Sequence, residues 1–381
     1  MEIKTLSSAP GVPFNDTLER FFEKYNLSED VECYQFYFCP WGNYGGTNFD
    51  DLYKLNFKSK IVILNVIDTI IDIDDNTAIK EIVKFCRTYP EHNFIISSPH
   101  LNLQREFTKR NIVVPNLYLD QLLCTTHFSN FKRCEKKGIK ANKWLCLNSG
   151  PRVHRVLAMS YLLSKDYSDN GDFTFDLETE LVKQPYQYKN LRQMPDHLKG
   201  SFSEGYEKFK QGKFNRLDIT KFDYRDLNPT ENYNEILAPI CQSYGVEIIT
   251  GTMFFEKTPV LSEKEMQSVW SQTFPIYING VGIVRELKNI FGLDLFEDII
   301  DHSYDEIENH YERMTAAIDR NQHLLDGSTN IQELWYNNRS RFESNCNKME
   351  SMLCDSSHQR NYNFSRLKKA FTHFNVTVTL I

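Results

Sequence analysis

Short runs of β-branched and aromatic residues alternate along this chain with stretches whose apolar positions repeat at helical spacing. The first run, Val-Glu-Cys-Tyr-Gln-Phe-Tyr-Phe-Cys over 31–39, predicts a strand. Further strand patterns follow at 61–67, 93–98 and 112–114, separated by helical patterns at 76–89 and 101–110. Asp75-Asn76 offers an N-cap for the first helix, and Tyr89-Pro90 closes it because proline disfavours a helical residue before it. Strands joined by crossover helices imply a parallel, doubly wound sheet.

The alternation restarts at Lys143, with a strand pattern at 143–148 and a helix at 151–164 that carries Pro151 in its first turn. Strands at 172–175 and 245–250 flank a helix around 232–243. The strongest unit follows: helix 262–272, strand 274–278, an Asn279-Gly280 turn and helix 281–291. Ser262 and Glu265 have the spacing of a capping box. The segment 184–228, polar and rich in Tyr and Lys, reads as an insertion or a mobile loop, and from Asp305 onward the pattern is helical. The expected fold class is α/β, with two Rossmann-like domains over 1–140 and 141–310 and a helical C-terminal extension over 311–381.

A chain of 381 residues is longer than one hydrophobic core usually supports, which agrees with two core domains. Its composition, 41% hydrophobic and 25% charged, excludes collagen-like and largely disordered chains. The longest apolar stretch, 61–73, is broken by Asn65, Asp68 and Asp72, so no membrane span is expected. The first ten residues lack a cationic segment followed by an apolar core, so no secretory signal is visible and a cytoplasmic protein is expected. Nine cysteines without a Cys-x-x-Cys pair fit buried reduced thiols rather than a disulfide framework or a zinc site.

The net charge of −7 excludes the overall basic excess of many duplex-binding proteins, so any polyanion contact must be local. One stretch qualifies. Between 131 and 155, Lys132, Arg133, Lys136, Lys137, Lys140, Lys143, Arg152 and Arg155 face the single anion Glu135. A run of acids from Asp294 to Glu312 has the ordinary reading of a solvated helical face.

In open parallel sheets, ligands collect outside the carboxyl ends of the strands, where helix N-termini present donors to anions. The turn Asn148-Ser-Gly-Pro-Arg-Val-His-Arg155 is such a place, and cations crowd a helix start that would ordinarily carry acids. Arg152 and Arg155, three apart, share a helical face suited to phosphate. Leu261-Ser-Glu-Lys264 opens a second helix; taken alone, those are ordinary surface-helix and cap residues. Asp68 and His100 each follow a strand of the first domain, where either is a candidate general base or simply a cap or loop residue. The loop Trp41-Gly-Asn-Tyr44-Gly-Gly could stack on a sugar or base, though many Rossmann-like domains carry such a loop. No Gly-x-Gly-x-x-Gly fingerprint is present.

Over 259–305, the succession Leu-Ser-Glu-Lys, Phe-Pro-Ile-Tyr-Ile-Asn-Gly, Val-Arg-Glu-Leu, Phe-Gly-Leu-Asp-Leu-Phe-Glu-Asp and Ile-Asp-His-Ser-Tyr-Asp resembles the donor-domain pattern of glycosyltransferases common in phages. The stretch Leu145-Cys-Leu-Asn-Ser-Gly-Pro-Arg-Val-His-Arg155 is similar to that group's opening, with Ser149 in place of its first arginine. Gln267-Ser268 departs from its usual Lys-Pro. This resemblance, which covers roughly 143–305, implies a glycosyltransferase-B fold, two Rossmann-like domains facing a cleft.

It further implies Arg152 and Lys264 as diphosphate ligands and Glu263 as a ribose ligand, with Arg155 and Glu256 matching more loosely. The first domain would bind the acceptor, with Trp41 and Tyr44 as contacts and Asp68 or His100 as the catalytic base. No cofactor is implied beyond a nucleotide-sugar co-substrate, UDP-linked. No metal is expected either, since Asp72-Ile-Asp74 has donor-motif spacing but lies in the acceptor domain. The acceptor that the phage-like pattern implies is 5-hydroxymethylcytosine in DNA, by glucosyl or arabinosyl transfer. The alternatives are a surface glycan as acceptor, or a non-catalytic protein that binds nucleotide or nucleic acid.

Overall fold

A computed structural model describes residues 2–5, 25–37, 52–67, 77–98, 103–117, 131–148, 153–174, 194–212, 217, 229–251, 254, 259–353 and 367–380. The chain divides into two compact units, Met1–Ser129 with Glu256–Leu261 and Ser351–Ile381, and Asn130–Phe255 with Ser262–Glu350. Both are mixed α/β structures built on parallel sheets.

In the first unit, β1 (Glu2–Thr5), β3 (Val31–Tyr37), β4 (Ile61–Ile67), β5 (Asn93–Ser97) and β6 (Asn116–Leu117) form a parallel sheet in that order. β4, Ile-Val-Ile-Leu-Asn-Val-Ile, is apolar on both faces because both are covered. Alternation sorts its side chains. Val62 and Leu64 join Phe94 and Ile96 under α1 (Thr77–Thr88) and α2 (Leu103–Thr108), represented by Ile79, Ile82, Phe85, Leu103 and Phe107. Ile61 and Ile63 join Val31, Cys33 and Ile95 against Leu367, Phe371, Val376 and Val378. The C-terminal strand Val378–Leu380 pairs antiparallel with β2 (Tyr25–Leu27).

The strand expected at 112–114 lies further on, at β6. Ile112 donates to the Phe107 carbonyl in the turn that leaves α2, and Val113 is 67% exposed. The ladder resumes at Pro115, whose carbonyl accepts from Ile96 N at 3.0 Å.

In the second unit, β7 (Trp144–Leu147), β8 (Gly171–Thr174), β9 (Val246–Thr250) and β10 (Phe274–Ile278) form a parallel sheet of order β10-β9-β7-β8. The strand order reverses beside β7, whose neighbours are β8 on one side and β9 on the other. That is a topological switch point. α3 (Val153–Ser164) is buried all round from Val153 to Leu163, which explains the lack of an amphipathic stripe in its sequence.

α4 (Asp196–Lys210) packs on α3 so closely that a Cβ at Gly205 would lie 1.6 Å from the Ser160 carbonyl oxygen. The expectation of an insertion or loop over 184–228 is therefore corrected for 196–210. Leu198, Phe202, Tyr206 and Phe209 repeat at helical spacing and are buried in the unit's core. A polar, charged outer face masked this stripe in the sequence.

The remaining helices are α5 (Glu263–Trp270), α6 (Ile283–Phe291), α7 (His310–Asp319), α8 (Ile331–Asn337) and α9 (Arg339–Leu353). The expected boundary at 310/311 is not a structural one. Met314, Ala317, Ile318, Trp335 and Phe342 belong to the same core as the sheet, and Phe342 meets Phe274 edge-on at 4.8 Å. No helix among the described residues is long and apolar enough to cross a membrane.

Candidate anion site at the switch point

The carboxyl ends of β7 and β9 are tied together by side chains. Thr250 Oγ1, closing β9, donates to Asn148 Oδ1, just past β7, and Asn148 N donates to Thr174 Oγ1 at 2.7 Å. In the first turn of α3, His154 is buried and donates from Nε2 to the Gly251 carbonyl at 2.8 Å, its ring stacked on Phe254 with centroids 5.5 Å apart. Gly251 has no room for a side chain, since a Cβ would press into Asn279 at 2.3 Å.

The helix that starts beyond β9 is held by a complete capping box. Ser262 Oγ accepts from Lys264 N, and Glu265 Oε2 accepts from both Ser262 N and Ser262 Oγ at 2.7 Å. Glu265 Oε1 accepts from Asn279 Nδ2 at 2.7 Å, so one buried carboxyl links α5 to the turn after β10. Burial pushes this carboxyl above its usual range despite the donors around it. Arg313, which sequence reasoning missed, pins the same turn: its buried guanidinium donates to the carbonyls of Asn279 at 3.0 Å and Phe254 at 3.1 Å. Nothing near it in the sequence signals this role, because its partners lie 34 and 59 positions away.

This scaffold brings three of the expected site residues together. Glu263 and Lys264 form a half-buried ion pair in the first turn of α5, and Arg155, 3% exposed, acts on the Glu263 carboxylate from α3. Burial alone would raise the Glu263 carboxyl; Lys264, with Arg155 behind it, outweighs burial and holds it below the usual range. Two cations and one carboxylate at two helix N-termini can hold a phosphate and a hydroxyl side by side. Arg152, Glu256, Asp68, His100, Trp41 and Tyr44 lie outside the described residues.

The basic stretch is largely committed internally. Arg133 makes a bidentate pair with Glu350 at 2.6 and 2.5 Å, and Lys136 Nζ donates to the Cys241 and Tyr244 carbonyls at 2.7 and 2.6 Å. Lys140 donates to Asp172 at 3.1 Å and lies 4.3 Å over the Tyr244 ring, while Lys143 donates to the Asp169 carbonyl at 2.7 Å. The acidic run is likewise not a helical face: Asp294 and Asp298 both pair with Arg341 at 2.7 Å, and Asp305 is buried.

Fold and site together define a parallel α/β unit with an anion-holding edge at its strand reversal. No protein-family profile matches the sequence, and no curated protein matches it. Among solved structures, the crystal structure of the DNA-modifying enzyme β-glucosyltransferase, determined with and without its substrate uridine diphosphoglucose, aligns with 97% of this chain and 98% of its own. The identity is 13% and the TM-score 0.37, too low for the likeness to carry over a fold or an activity.

Proposed function

We propose that the protein is a glycosyltransferase that moves a sugar from a nucleotide sugar, UDP-linked, to an acceptor hydroxyl. The observation that carries this reading is the convergence of Arg155, Glu263 and Lys264 at the strand reversal of the second unit. The motif resemblance of 143–305 supports it independently, with Arg152 as a further diphosphate ligand. Arg155, Arg152 and Lys264 would stabilise the charge that develops on the departing diphosphate, and Glu263 would accept hydrogen bonds from the ribose. The bond between anomeric carbon and phosphate oxygen breaks and the acceptor oxygen bonds that carbon. Its proton passes to Asp68 or His100 in an inverting reaction, or to the departing diphosphate in a retaining one. Trp41 and Tyr44 would contact the acceptor, and the two units would form the glycosyltransferase-B pair.

The acceptor in this reading is 5-hydroxymethylcytosine in DNA, extruded from the stack to reach the donor. One observation favours a glycan acceptor instead: Arg133, Lys136, Lys140 and Lys143 already hold protein groups, which removes most of the cations the basic stretch offered to DNA. The test is mass spectrometry of nucleosides from hydroxymethylcytosine-containing DNA incubated with the protein and UDP-, GDP- and CMP-sugars. A pentose or hexose mass increment that disappears in Lys264→Ala supports the full reading. Nucleotide release without a mass increment moves the acceptor to a glycan. Neither release nor transfer, together with salt-dependent nucleic-acid binding, replaces the enzyme with a binding protein.

A further inference from the structure

The acidic run encloses a cavity of about 590 Å³ between α6 and the segment 297–306, all within the second unit. That volume lies in the range of small-molecule sites, roughly 300–1,000 Å³. Arg155, Glu263 and Lys264 do not line it, so it is separate from the switch-point site.

Most of the charges on its wall are already matched. Arg285 pairs with Glu306 at 2.5 Å, Lys288 with Glu297 at 2.7 Å, and Asp298 with Arg341 at 2.7 Å. His302 donates from Nε2 to the Leu295 carbonyl at 2.8 Å, and burial lowers its basicity, so it adds no positive charge. Asp305 is different. It is 4% exposed, and its Oδ2 accepts from Val284 N and Arg285 N at 3.0 and 3.2 Å, which uses one oxygen to cap α6. Its Oδ1 is buried and has no hydrogen-bond partner among the described residues. Asp301, the other carboxylate of the wall without a basic side chain in hydrogen-bonding contact, is occupied by its own Ser303. The cavity therefore carries an excess of negative charge and one buried, unused acceptor.

We propose that this cavity binds a small organic cation bearing an ammonium or guanidinium group, with Asp305 as its counter-ion. A buried carboxylate with a free oxygen is costly unless a donor reaches it, and a cationic donor satisfies both its hydrogen-bonding and its charge. An organic cation fits better than a metal ion, since no group of three or more His, Cys, Asp or Glu side chains among the described residues is arranged to hold one.

Calorimetric titration of the full chain with butylguanidinium, and with its neutral counterpart butylurea, tests the proposal. Binding of butylguanidinium at submillimolar to millimolar concentration with no heat from butylurea is expected. Asp305→Asn keeps a carbonyl oxygen for the α6 cap and removes the charge, so its affinity should fall by roughly 10- to 100-fold. Absence of butylguanidinium binding, equal binding of butylurea, or undiminished binding by a folded Asp305→Asn protein overturns the proposal. The comparison of the two ligands on the unaltered chain decides the matter even if that variant is unstable.

Discussion

Glu265→Ala perturbs the joint on which the candidate site depends. The carboxyl is completely buried and accepts three hydrogen bonds, two from Ser262 and one from Asn279, each at 2.7 Å. Each bond to such a group is worth about 1.5–3 kcal/mol, but the three are not additive, and removing the carboxyl also relieves the cost of burying it. Against that relief, the variant leaves Ser262 N and Asn279 Nδ2 without their acceptor and loses half of the capping box, a feature worth about 1 kcal/mol. A net loss of about 3 kcal/mol follows, which corresponds to a fall of roughly 6–12 °C in Tm for a unit of this size. Differential scanning calorimetry of the variant and of Asn279→Ala, singly and together, measures both the loss and the coupling. If Glu265→Ala melts within 2 °C of the parent, or the double variant is simply additive, Glu265 does not join α5 to the turn after β10.

Lys264→Ala should lower kcat/KM for transfer by about 10²–10³-fold while shifting Tm little, as expected for loss of a cation at developing diphosphate charge; retained activity removes its assignment. Gly205→Val should destabilise strongly, because even a Cβ there meets the Ser160 carbonyl at 1.6 Å and α4 must move off α3; a thermal melt within a few degrees of the parent would contradict that packing. Burial pushes the Glu247 carboxyl up to about 7, with Thr273 and Lys136 opposing it, so its protonation favours the folded state. Its contribution is fully present below the unfolded value near 4.5 and is lost as pH rises through about 7, a difference of about 2–3 kcal/mol. Glu247→Gln should therefore flatten the decline in stability between pH 5 and 8, read from denaturant unfolding at each pH; parallel pH profiles for parent and variant refute it.

The sheet strands were legible because parallel strands buried on both faces are continuous apolar runs: 61–67 and 274–278 are found at the positions their sequences indicate. The Ser262–Glu265 box was legible for the same reason, since its partners are three residues apart. Contacts between distant segments were not. Asn148 with Thr250, Glu265 with Asn279, and Arg313 with Phe254 depend on which strands lie side by side, which local spacing does not encode. The basic stretch misled for a related reason: a cation near others in sequence reads as free, although Arg133 finds Glu350 217 positions away.

The path of the chain through its two units bears on how it is made. The face of the first sheet formed by Ile61, Ile63 and Ile95 is closed by Leu367, Phe371, Val376 and Val378, whose synthesis comes after the whole of the second unit. At about 5–20 residues per second, that face waits for tens of seconds on the ribosome, while the second unit has all of its own core by Glu350. The first unit is therefore the last to finish folding although it is the first to emerge. Its half-covered sheet is the surface on which a chaperone would act during translation.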